Sequence, residues 1–73
     1  MATIQLDTLG MKCPQPVLQI AIKAKDLSDG DILEITADCP SFPNDLEKWC
    51  KNQGKTLLMM STEGEKHTAQ IQF

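Results

Sequence analysis

The sequence predicts an α/β fold (α+β in the stricter sense), a two-layer sandwich with element order βαβαββ and a four-stranded mixed sheet. Two kinds of hydrophobic pattern support this prediction. Four short segments alternate apolar with polar residues or carry short apolar runs, which is typical of strands packed on one face. Two longer segments repeat apolar residues at helical spacing, and clusters of glycine, proline and aspartate separate the elements.

The four strands are predicted at Thr3–Asp7, Ile32–Ala37, residues 55–61 and residues 67–73. The last two form a hairpin around residues 62–65. The apolar run 57–60 gives the third strand apolar side chains on both faces. One face joins the core, and the other is either a buried patch or a contact surface.

The first helix is predicted over residues 14–25, with its inner stripe formed by Val17, Ile20, Ala21 and Ala24. Ser41 is the predicted N-cap of the second helix and Gly54 its terminator. Right-handed β-α-β connections place both helices on one face of the sheet and leave polar residues on the other. The predicted inner face of the second helix is formed by Phe42, Leu46, Trp49, Cys50 and Gln53.

Composition limits the function classes. A chain of 73 residues predicts a single domain, residues 1–73, and we expect a monomer. A net charge of −3, with seven Lys and no Arg, argues against direct nucleic-acid binding. No apolar run is long enough to cross a membrane, and residues 1–5 lack the features of a secretory signal, so the sequence predicts a cytoplasmic protein.

The most informative stretch is residues 10–16, GMKCPQP, in which Cys13 lies where a helix is predicted to begin. Pro14 suits the first helical position because its missing N–H has no helical partner. Unpaired N–H groups at a helix start favour a thiolate, and Lys12 adds a positive charge. The thiolate is the form that attacks sulfane sulfur, and the resulting persulfide is also an anion. From spacing alone, Cys13 is equally well a small capping residue.

Residues 6–17, LDTLGMKCPQPV, resemble the signature of the TusA/SirA (YeeD-like) sulfur-carrier family. The shared pattern is Asp7, then Gly10 three residues later, then Cys13-Pro14-x-Pro16, and the similarity extends over essentially the whole chain. The resemblance implies that Cys13 accepts a persulfide from a sulfur-donor protein, such as a cysteine desulfurase or a rhodanese-like protein. It also implies that Cys13 passes the sulfur to an acceptor protein, and it implies a two-layer α/β sandwich.

Two departures concern the tRNA-thiolation members of that family. Those members often have Glu between the two prolines, where this chain has Gln15, and many carry basic residues in the last strand that this chain lacks. Both differences argue against the tRNA-modification branch and leave the pathway open. Neither affects Cys13.

Cys39 follows the second strand as Cys13 follows the first. Parallel strands send such loops to one edge of the sheet, so the two cysteines could lie close enough for a disulfide or for persulfide exchange. Cys39 is therefore a candidate resolving thiol, and the alternative is a partly buried cysteine that fills the loop. Cys50 is predicted to pack in the core.

A metal site is not expected, because the chain has no Cys-x-x-Cys pair and its cysteines are far from His67 in sequence. We predict no cofactor and interpret His67 as a structural or edge residue.

Leu18 and Ile22 form an i, i+4 apolar pair beside the core stripe of the first helix. They either dock donor and acceptor proteins near Cys13 or belong to a wide core stripe. Three function classes remain: a sulfur carrier using Cys13, a thiol redox protein using Cys13 and Cys39, and a non-catalytic interaction module.

Overall fold

Four strands and two helices form two layers, as predicted. The computed structural model describes residues 2–13 and 15–73. Along the chain these residues form β1 (Thr3–Asp7), α1 (Gln15–Lys23), a short 3₁₀ turn (Ala24–Asp26), β2 (Ile32–Ala37), α2 (Phe42–Gln53), β3 (Thr56–Glu63) and β4 (Lys66–Gln72).

The sheet has the strand order β1-β2-β4-β3. β1 and β2 are parallel neighbours, whereas β4 is antiparallel to both β2 and β3. The loops that follow β1 and β2 therefore leave from the same edge of the sheet. β4 begins at that edge, since its His67 pairs with Ala37 at the end of β2.

The core lies between the sheet and the two helices. The opposite face is polar, as predicted: Gln70 Nε2 on β4 donates to Glu34 Oε2 on β2 at 2.9 Å. Such a face can remain in water, so it needs no second helical layer. The apolar residues that are fully buried in the core are Ile20, Leu33, Ile35, Ala37, Phe42, Leu46, Ala69 and Ile71.

The ends of the first helix and of the third strand differ from the prediction. Pro14, the predicted first helical residue, lies outside the described residues, and α1 runs from Gln15 to Lys23 instead of continuing to residue 25. The chain then tightens into the 3₁₀ turn, closed by a bond from Leu27 N to Ala24 O. β3 continues to Glu63, so the hairpin turn contains only two residues and begins at Gly64, with φ +64°. This positive φ suits a tight hairpin turn and lets the two strands pair up to their ends.

β3 is an edge strand, and its register shifts between Leu57 and Met59. The bulge adds one residue, so that Leu57 and Met60 both pack against the core. Leu58 and Met59 are exposed, which excludes the predicted alternative of a second buried patch on this strand.

Candidate functional site

The loops after β1 and β2 are tied to each other by hydrogen bonds that involve no cysteine. The backbone N–H and the hydroxyl of Thr8 both donate to the carbonyl of Thr36, at 2.9 and 2.7 Å. Gly10 N donates to Asp38 Oδ2 at 3.0 Å, one residue before Cys39. These bonds anchor the first loop to the end of β2.

The first loop is shaped by the residues predicted to support Cys13. Asp7 Oδ1 accepts a bond from Leu9 N at 2.9 Å, and Met11 N donates to Thr8 O at 3.2 Å. Gly10 has φ +83°, and an added Cβ would meet no atom within 4 Å. The loop therefore requires glycine at position 10 for its backbone conformation rather than for lack of space.

Cys13 lies two residues before the first residue of α1 and is partly buried against the core. The bond from Gln15 N to Lys12 O, 2.8 Å long, turns the chain from the loop into the helix. Pro16 is fully buried, whereas the Lys12 side chain is exposed beside the cysteine. This places Cys13 close to a helix start, where backbone N–H groups favour an anion.

Cys39 lies between the end of β2 and the start of α2 and is only 5% exposed. Its carbonyl accepts a bond from Phe42 N at 3.0 Å, and its Sγ lies 3.6 Å from Ser41 Oγ. Ser41 is the N-cap residue of α2, as predicted, but its side chain makes no capping hydrogen bond. The Ser41 hydroxyl donates to Asp45 Oδ2 at 3.0 Å, because that carboxylate lies one turn further along α2.

The structure brings Cys13 and Cys39 together. Their Sγ atoms are bonded to each other, and their Cα atoms lie 5.8 Å apart. That Cα separation falls within the range of about 4.4–6.8 Å seen in protein disulfides. Cys50 is a free thiol buried on α2, and this burial raises its pKa. Cys13 and Cys39 are thus a facing pair, and Cys50 packs in the core as predicted.

A surface pocket of about 860 Å³ opens over the cysteine pair. Both loops line it, and the β3–β4 hairpin contributes Gly64 and Glu65 from the opposite side. Its charged lining residues are Lys12, Asp38 and Glu65. The pocket brings the predicted site residues Gly10, Lys12, Cys13 and Cys39 together, whereas Asp7, Pro16, Leu18 and Ile22 do not line it.

His67 also lines this pocket, which the sequence interpretation missed. Its ring stacks on Phe42 at a centroid distance of 6.2 Å, and its Nδ1 lies 2.8 Å from Thr62 Oγ1. The prediction that His67 is structural agrees with these contacts and with its burial. The sequence signal that could have placed His67 in the pocket is its position at the start of the last strand. Because β4 is antiparallel to β2, the start of β4 lies beside the end of β2, at the edge of the sheet where the two cysteines lie.

Leu18 and Ile22 are 49% and 59% exposed on α1. Their exposure excludes the alternative in which they extend the core stripe. Ile20 of the same helix is fully buried, so the core contact is on the other side.

In residues 2–13 and 15–73, no group of three or more His, Cys, Asp or Glu side chains is arranged to hold a metal ion. Within the same part of the chain, no helix has the length and apolar character needed to cross a membrane.

Fold and site together define a small α/β domain with a cysteine pair at the carboxyl edge of its parallel strands. Residues 4–72 match the family model described as Sulfurtransferase TusA, and the chain belongs to this family. This match confirms the family resemblance of the sequence.

The chain is also similar to a longer protein of Bacillus subtilis (strain 168) whose name is "Putative sulfur carrier protein YrkF". The two are 42% identical over 64 residues. The aligned stretch covers 88% of this chain and 35% of that protein, so the chain spans about a third of its relative's length.

Proposed function

We propose that this protein is a sulfur carrier that holds sulfane sulfur as a persulfide on Cys13 and relays it between proteins. The membership in the TusA family and the name of the longer relative support the carrier role. The observation that carries the assignment to Cys13 is its place beside the start of α1, at the edge of the 860 Å³ pocket.

Loading is a thiol exchange in which no net oxidation occurs. The Cys13 thiolate attacks the outer sulfur of a donor persulfide, R–S–SH, and the donor leaves as R–S⁻. The product is Cys13–S–SH, which ionises to Cys13–S–S⁻. The start of α1 and the exposed Lys12 stabilise negative charge on both the thiolate and the loaded sulfur.

The donor and acceptor are proteins in this proposal, with a cysteine desulfurase or a rhodanese-like protein as donor. Leu18 and Ile22 form the docking flank, because large apolar side chains exposed on one helix side are typical of contact surfaces. The carrier needs Cys13 reduced between cycles, which fits a reducing compartment such as the cytoplasm.

The loading experiment treats the reduced Cys39→Ser protein, in which no Cys13–Cys39 disulfide can form, with glutathione persulfide and measures the intact mass. We expect a gain of one sulfur, about 32 Da, that is absent when Cys13→Ala is added to this protein. The matched control adds Cys50→Ser instead, which should load normally because Cys50 is buried away from the pocket. Unchanged loading in Cys13→Ala would contradict the proposal.

The docking flank is tested separately with Leu18→Glu and Ile22→Glu. Both variants should load from glutathione persulfide like the wild type and accept sulfur more slowly from a persulfidated donor protein. Leu58→Glu is the matched control, since Leu58 is similarly exposed but lies on the edge strand β3. Equal rates of protein-to-protein transfer in all three variants would show that docking occurs elsewhere.

The Cys13–Cys39 disulfide favours a second candidate function, that of a dithiol redox protein. Such a protein would pass electrons to a substrate disulfide without gaining sulfur from any donor. The intact-mass experiment separates the two functions, because only the carrier shows the additional 32 Da, about one sulfur atom, in Cys39→Ser.

A further inference from the structure

We propose that Cys39 resolves the Cys13 persulfide: it displaces the outer sulfur as hydrosulfide and leaves the Cys13–Cys39 disulfide. The protein would then have a second activity, reductive release of sulfide, besides relaying sulfur to a partner. This inference rests on the proposed persulfide on Cys13.

The backbone holds the two cysteines in reach of each other whether or not they are bonded. The bonds from Thr8 to Thr36 and from Gly10 to Asp38 join the two loops on the β-strand side of the cysteines. Because these bonds involve no sulfur atom, we expect the Cα separation of 5.8 Å to persist in the reduced protein. A thiol held beside its target reacts far faster than a free thiol at ordinary concentration.

The surroundings of Cys39 favour the neighbouring sulfur as its reaction partner. Cys39 is 5% exposed, so bulky reagents from solvent have little access to it. In the reduced protein the Cys39 thiol can donate a hydrogen bond to Ser41 Oγ, which lies 3.6 Å from its Sγ, because the single Ser41 hydroxyl proton is donated to Asp45 Oδ2. The backbone is fixed on both sides, by the end of β2 and by the bond from Phe42 N to the Cys39 carbonyl.

The site of attack determines the product. The Cα atoms of the two cysteines lie 5.8 Å apart, within the range seen in protein disulfides, so the Cys39 thiolate can attack Cys13 Sγ directly. The bond from Cys13 Sγ to the outer sulfur breaks, and its electron pair leaves with HS⁻. The outer sulfur is reduced by two electrons, and the two cysteines together are oxidised by two.

The cycle closes only with a reductant. An external dithiol reduces the Cys13–Cys39 disulfide by exchange, becomes a disulfide itself, and returns both cysteines to thiols. While the disulfide is present, Cys13 has no thiolate and accepts no sulfur. Release and relay are therefore alternative fates of one loaded sulfur.

The chain is well suited to a mapping experiment, because its lysines place each cysteine on a different tryptic peptide: 13–23, 26–48 and 49–51. Reduced wild-type protein receives one equivalent of glutathione persulfide. Hydrosulfide is trapped and counted with monobromobimane, and the protein is analysed by intact mass and by peptide mapping. Cys39→Ser is the test variant, and Cys50→Ser is its matched control.

We expect about one hydrosulfide per chain in the wild type, with peptides 13–23 and 26–48 joined and a loss of about 2 Da from the reduced protein. Cys39→Ser should keep the gain of about 32 Da on peptide 13–23 and release hydrosulfide at least about ten-fold more slowly. Cys50→Ser should behave like the wild type. The one-to-one ratio of hydrosulfide to disulfide in the wild type tests the proposal even if Cys39→Ser does not fold.

Three results would overturn the inference in distinguishable ways. If the wild type keeps its persulfide as long as Cys39→Ser, resolution fails and the carrier function stands. If the additional sulfur appears on peptide 26–48, Cys39 receives sulfur instead of releasing it. If neither protein gains sulfur and no hydrosulfide forms, the proposed persulfide on Cys13 fails, and resolution fails with it.

Discussion

Reduction of the Cys13–Cys39 disulfide should lower the stability of the fold by an amount set by the loop it closes. The two cysteines are 26 residues apart in sequence. In the chain-entropy account, closing a loop of that length in the unfolded chain stabilises the folded state by about 3.5 kcal/mol. This is a large share of the total stability of a small domain.

The same free energy appears as a preference for the disulfide in the folded protein. By the thermodynamic cycle, about 3.5 kcal/mol makes disulfide formation roughly 400-fold more favourable in the folded chain than in the unfolded one. The folded protein therefore promotes the closing step that the release of sulfide requires. If the disulfide did not stabilise the folded state, folding would not favour disulfide formation.

Urea unfolding followed by the fluorescence of Trp49 measures this difference, with the oxidation state of each sample confirmed by mass. With an m-value of about 1.2 kcal/mol/M, the oxidised protein should unfold at a urea concentration about 3 M higher than the reduced protein. Cys39→Ser is the control and should show the same midpoint with and without reductant. Equal midpoints for oxidised and reduced wild type would refute the reasoning.

Three further predictions test individual contacts. Asp38→Ala removes the acceptor for Gly10 N and should slow formation of the Cys13–Cys39 disulfide several-fold. Asp38→Asn keeps an acceptor oxygen and should slow it less. Equal rates of disulfide formation, measured by quenched alkylation, would contradict the role of the Asp38–Gly10 bond in holding the two loops together. Bonds from the backbone N–H groups of Ser28 and Ala2 lower the pKa of Asp31. The wild type should therefore be more stable than Asp31→Asn at neutral pH, and this difference should disappear as the pH falls below the ordinary aspartate pKa. A difference in urea midpoint that does not change with pH would contradict this prediction. Burial raises the pKa of Cys50, so iodoacetamide at neutral pH should label peptide 49–51 of the reduced protein last, and early labelling there would count against the packing role.

Most of the fold could be predicted because local pattern and burial agree. Side chains of β2 alternate strictly between the two faces of the sheet: Leu33 and Ile35 are fully buried, and Glu34 lies on the polar face. This two-residue period alone determines which face of the strand packs on the core. The bulge in β3 could not be predicted, because the apolar run 57–60 has no alternation. Its register depends on pairing with β4, which is a tertiary contact.

The site could be predicted in part for the same reason. Parallel β1 and β2 bring the residues after them to one edge, which places Cys13 beside Cys39 without any knowledge of side chains. His67 needed one more fact, the insertion of β4 between β2 and β3. Gly10 was recognised from its residue type, but its bond to Asp38 depends on how the two loops meet.

The most direct test of the central claim uses a chain with both Cys39→Ser and Cys50→Ser, so that Cys13 is the only thiol. Treatment with a sulfane donor, alkylation of the new terminal thiol and tryptic digestion should yield peptide 13–23 carrying the alkylated persulfide in near-stoichiometric amount. If that peptide is recovered only with the alkyl group on Cys13 Sγ itself, and with no added sulfur, the result would contradict a sulfur-carrying role for this protein.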